Sequence, residues 1–142
     1  MGNKISFSAL FNWLNSTEMF ARPSKRIPGK WSLKEFYFEP ENELLHFSED
    51  RLKNENLFWE LEFSGAGQFI HHSHLSIPLI DNMDSGHWSR SRNFITLAHP
   101  ANSEKKIEFQ FAVEKDILKL LKKDSLGRIQ FFGFFRKMEG KK

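Results

Sequence analysis

The chain of 142 residues contains no cysteine, a single tyrosine, five prolines and eight glycines. Without cysteine there are no disulfide staples, no thiol nucleophile and no thiolate metal site, and the composition fits a reducing compartment, so a cytoplasmic location is expected. No apolar run approaches the roughly 20 residues a membrane-spanning helix needs. Charge of one sign is also in short supply: 21 Lys and Arg against 18 Asp and Glu leave a net charge of +3. So slight and scattered an excess makes nucleic-acid binding an unexpected function, because an electrostatic footprint for phosphates is concentrated on one face. What is plentiful is phenylalanine, 16 residues, with four tryptophans. Such an excess of rings implies an apolar interior of some size.

The first 28 residues read differently from the rest. Phe7, Leu10, Phe11 and Leu14 recur at i, i+3, i+4 and i+7, the spacing of an apolar helix stripe that must dock on something, and a helix is expected over 6–21. Pro23 and Pro28 end it. A signal peptide is not expected, since Ser6, Ser8 and Asn12 break the apolar run and no small-residue cleavage site follows. Gly2 with Ser6 meets the minimal acylation pattern, which recurs by chance, and acylation is not expected either. The stripe is expected across an end of the body formed by the later residues.

From Gly29 the period changes to two. Leu57, Trp59, Leu61 and Phe63 alternate with Glu60 and Glu62, and Ile107, Phe109, Phe111 and Val113 alternate with Glu108 and Gln110. Each run is a half-buried antiparallel strand. "EKDILKLLKKD" at 114–124 reads as a further strand with Leu118 and Leu120 inward. Turn signals stand between the runs at 39–42, 64–67, 82–86, 99–104 and 123–127. The expected fold is all-β: an antiparallel up-and-down barrel of about eight to ten strands over 29–138, preceded by the segment 1–28 packing on it and followed by a basic tail, 139–142.

Chemistry-bearing residues are few. "FIHHSH" carries His71, His72 and His74, but side chains alternate along a strand, so at most two imidazoles share a face. If Phe69 faces the core, so does His71, leaving His72 and His74 outside. A zinc site needs three or four ligands; His46, His87, His99, Asp81 or Asp84 would have to complete it, and no spacing ties any of them to this strand. No metal or cofactor is expected. No phosphate loop, nucleophile elbow or Ser–His–Asp motif is present, and Glu60, Glu62 and Glu108 fall on the wet parity of their strands. Catalysis is therefore not expected.

Gly29-Lys30-Trp31 opening the first strand, the rhythm of "FWELEFSGAGQF" and "GHWSRSRNFITL", and the closing "RIQFFGFFRK" resemble the calycin superfamily, and more narrowly the small lipocalin-like domains of bacteria. The resemblance covers about residues 29–138. It implies that Trp31 closes the barrel floor under an arginine near the end of the last strand, for which Arg136 is the candidate and Arg128 the alternative. It also implies an interior for a small hydrophobic or amphiphilic ligand, fatty-acid-like in character. Trp31, Trp59, Phe63, Trp88, Phe109, Phe111 and Phe131 would form its walls. Arg90 or Arg92, or else Arg128, would anchor a carboxylate through a bidentate guanidinium. The alternative is a solid barrel serving as a structural or protein-interaction module. Unlike the secreted members, the chain lacks cysteines and the long helix that usually follows their barrel.

Overall fold

The computed structural model describes residues 27–75, 83–102 and 104–138. They form strands β1 (Gly29–Phe38), β2 (Leu45–Phe47), β3 (Phe58–Phe63), β4 (Gln68–His74), β5 (Ser85–Ser91), β6 (Phe94–Ala98), β7 (Lys106–Glu114), β8 (Ile117–Lys123) and β9 (Ile129–Lys137), with one helix, α1 (Glu49–Asn54), between β2 and β3. From β3 to β9 each strand pairs antiparallel with the next, and β9 pairs antiparallel with β1 to close the ring. The other edge of β1 is shared. Gly29 to Ser32 pair with β3, whereas Phe36 to Phe38 pair with β2, so β2 completes the rim above β3. The result is an eight-stranded up-and-down barrel, whose closure leaves no long open sheet edge.

The period-2 patterns produce this directly. In β3 Trp59, Leu61 and Phe63 are buried while Phe58, Glu60 and Glu62 are exposed. The segment 117–123 is a strand, with Leu118 and Leu120 fully buried. Two irregularities bend the lattice: the β1–β9 register shifts between Leu33 and Glu35, and the β8–β9 register between Lys122 and Lys123. The first has a packing consequence, because an extra residue in one strand exchanges the two faces beyond it. Trp31 and Leu33 face inward below the shift; above it Phe36 belongs to the interior and Tyr37 to a separate outer cluster.

The turns are built by short polar side chains. Ser64 Oγ accepts from the backbone N–H of Ala66 and Gln68, and Asp124 Oδ1 accepts from those of Leu126 and Arg128, with Gly127 supplying the left-handed conformation at φ +85°. Two expectations need correction. Of the turn placed at 82–86, Ser85 and Gly86 belong to β5, and Asn82 lies outside the described residues. Gly86 lies so close to the Ala98 carbonyl and the Phe69 ring that no side chain fits there, a requirement of packing and not of turning. The sequence also gave no warning of α1. Ser48 caps it by accepting from Arg51 N–H at 3.2 Å, Glu49 and Asp50 occupy its first turn, and only Leu52 is buried. Six residues with one apolar contact are too few to display a helical period. The helix expected at 6–21 and the tail 139–142 lie outside the described residues.

Candidate functional site

Ring-bearing side chains face the barrel interior. At the floor Trp31 is wholly buried, and its Nε1–H donates to the Ile27 carbonyl at 2.9 Å. Phe63 meets the half-buried Trp88 edge-on at 5.4 Å, and Trp88 Nε1–H donates to the Ser64 carbonyl at 2.9 Å. In the middle, Trp59 packs against Phe131 at 5.1 Å, Phe135 at 5.5 Å and Phe109 at 6.4 Å. Phe111 is buried in the same cluster. The seven aromatic residues singled out as walls therefore share one interior.

The arginines do not join them. Arg136 is exposed on β9: it pairs with Ser32, on the outward parity, while the neighbouring Lys137 pairs with Trp31. Lys137 Nζ lies 5.3 Å from the indole centroid and donates to the Pro28 carbonyl at 3.3 Å, so a lysine takes the place assigned to Arg136. Arg128, the alternative, is held in the β8–β9 turn, where its Nε–H donates to Asp124 Oδ2 at 2.9 Å. Arg90 shares the parity of Trp88 but stays exposed near the end of β5, and Arg92 sits in the β5–β6 turn with φ +57°. No carboxylate clamp is assembled from these guanidinium groups inside the barrel.

The three histidines separate as parity requires. His71 is 6% exposed, whereas His72 and His74 lie on the surface. Among the described residues no cluster of three or more His, Cys, Asp or Glu side chains could hold a metal ion. Glu60, Glu62 and Glu108 are exposed on the outer wall.

Sequence reasoning missed the polar partnership inside the core. The His71 ring packs edge-on to Trp59 at 6.0 Å and stacks on Phe69 at 6.2 Å. Its Nε2 is 2.6 Å from the Met83 carbonyl oxygen. A carbonyl can only accept, so Nε2 carries the proton and Nδ1 keeps a lone pair. Burial pushes the His71 pKa below 6.5, against the opposing pull of the Met83 carbonyl and Asp84, which favours the neutral ring. Among the described residues neither His71 Nδ1 nor Trp59 Nε1 has a hydrogen-bond partner, although both are buried. One is an acceptor and the other a donor. Leaving each unmade costs about 1–3 kcal/mol, which a hydroxyl group within reach of both would offset by accepting from the indole and donating to the imidazole. The signal in the sequence was a histidine on the inward parity of one strand beside a tryptophan on the inward parity of the next.

Among the described residues no helix is long and apolar enough to cross a membrane. No known protein-family model matches the chain, and no curated protein does.

Proposed function

We propose that the barrel binds a small hydrophobic or amphiphilic molecule in its interior, with Trp59 and His71 as the polar anchor. The observation that carries this reading is a buried donor and a buried acceptor, neither with a hydrogen-bond partner among the described residues, within an otherwise apolar aromatic core. A pocket of apolar walls with a few polar groups is the usual constitution of a small-molecule site. Because His71 is neutral and Trp59 only donates, the pair suits a hydroxyl group. An alcohol or phenol therefore fits it better than the carboxylate of a fatty acid. Trp31, Phe63, Trp88, Phe109, Phe111 and Phe131 supply walls and floor in this reading, while Arg90, Arg128 and Arg136 take no part in holding the ligand. The closed meander with Gly29-Lys30-Trp31 at its start supports a lipocalin-like, calycin relationship, with residues 29–138 as the barrel unit. The lack of cysteine supports a cytoplasmic location.

A second reading, a solid barrel acting as a structural or interaction module, is favoured by the ring-on-ring packing of Trp59, Phe109, Phe131 and Phe135. Native mass spectrometry separates the two. A carrier of the full chain, purified without detergent, shows one small-molecule adduct above the 16.8 kDa chain that is released by organic solvent. A bare chain that also retains no added long-chain alcohol supports the solid module.

A further inference from the structure

The outer wall formed by β7, β8, β9 and β1 is apolar, and it is shut off from water. Tyr37, Ala112, Leu121, Ile129 and Phe132 form a cluster distinct from the barrel core, with Leu44 and Phe134 packed against it. The register makes it continuous: Tyr37 pairs with Phe132, and Phe132 with Leu121, while Ala112 and Phe134 flank Lys119 one row below. Every member of the five is at most 9% exposed within a single chain, Phe132 entirely buried. An uncovered outer wall looks different. On β3 and β4 the outward Phe58 and Ile70 are 45% and 48% exposed, among Glu60, Glu62 and His72.

At one end of the wall His46 stacks on Tyr37 at 4.3 Å and Leu44 packs against the cluster. Something further covers the rest, around Ala112 and Leu121, and α1 does not supply it, because its one buried residue, Leu52, belongs to the inner cluster. The strands β4 and β5 stand across the ring from β8 and β9. We infer that the N-terminal stripe Phe7, Leu10, Phe11 and Leu14 docks as a helix on this outer wall, and not across an end of the barrel. The dimensions agree. Eight helical residues rise about 11 Å, and four strands span about 14 Å. Residues 15–26 reach up to about 40 Å when extended, enough to run from Ile27, fixed by Trp31 at the floor, to Tyr37 about 33 Å up β1. Burial within one chain speaks for this segment over a second copy.

The absence of native cysteine makes the test direct, since an introduced pair is the sole disulfide that can form. Full chains carrying Leu10→Cys with Leu121→Cys, and Leu10→Cys with Ile70→Cys as control, are oxidised gently and assayed by non-reducing gel and intact mass. Docking predicts an intramolecular bond in the first pair that forms about tenfold or more faster than in the control, because the docked segment is at high effective concentration. If the wall substitution prevents folding, a nitroxide on Leu14→Cys alone serves: it should broaden amide signals of β8 and β9 and spare those of β3 and β4. Equal cross-linking to Ile70→Cys, bonds formed only between two copies, or uniform broadening would overturn the proposal.

Discussion

Trp31 and Lys137 face one another across the seam where β1 meets β9, the ammonium 5.3 Å from the indole centroid and bonded to the Pro28 carbonyl. The pair closes the ring and the floor together. Trp31→Ala should cost about 3–5 kcal/mol, as for other large-to-small core changes. Arg136→Ala, on the wet parity next door, should stay within about 0.5 kcal/mol of the parent. Urea unfolding of the two variants checks this. An Arg136→Ala loss comparable to that of Trp31→Ala would contradict the register.

Gly133 faces inward between Phe131 and Phe135 on β9, and a methyl group there would stand 2.6 Å from Phe131 Cε2 and 3.0 Å from Leu33 Cδ1. Gly133→Ala should therefore destabilise by about 1–3 kcal/mol through overpacking. Gly65→Ala, with nothing within 4 Å, should be neutral within about 0.5 kcal/mol. Thermal or urea midpoints of the two proteins decide it.

His71 makes stability depend on pH. Its folded pKa is held below 6.5 by burial, so between the two values the unfolded chain binds more protons than the folded one. The contribution is complete above about 6.5 and is lost as the pH falls towards the folded pKa, at no more than about 1.4 kcal/mol per pH unit for one proton. His71→Phe should flatten that part of the curve. A wild-type curve parallel to the variant's between about pH 7.5 and 5 would mean that the imidazole is not buried as a neutral ring.

Tyr37 is the single tyrosine, so phenolate absorbance reports on it alone. Burial, with the Glu35 carboxylate adding to it, pushes its pKa up to about 12. The phenol is a raised acid: its contribution to stability holds below about 10 and is lost as the pH climbs towards 12, so ionisation should be late and accompanied by unfolding. If the N-terminal stripe docks on this wall as inferred above, a full chain carrying Phe11→Ser should show the midpoint moved towards 10. A native midpoint near 10 would place the ring in water.

The strands, their parity and the inward turn of His71 were legible because a period of two is a local property. The partner of Trp31 was not. Choosing between Arg136 and Lys137 requires the β1–β9 register, which depends on residues about a hundred positions apart and on the irregularity at Leu33–Glu35. "RIQFFGFFRK" concealed a second feature: its phenylalanines occupy both parities, Phe131 and Phe135 inside, Phe132 and Phe134 outside. Read as a run of rings, it suggests one core where there are two apolar faces. The proposed Trp59–His71 anchor depends on the Met83 carbonyl taking Nε2, a contact that no spacing announces.

Calorimetric titration of the full chain with a long-chain primary alcohol, and with the alkane of equal length, tests ligand binding at the Trp59–His71 anchor most directly. One alcohol should bind per chain, and Trp59→Phe or His71→Phe, each a conservative ring exchange, should weaken it by about tenfold or more by removing one partner of the hydroxyl. The alkane should bind more weakly than the alcohol and be indifferent to both substitutions. No saturable binding of the alcohol, or equal affinity in the parent and both variants, would contradict the account.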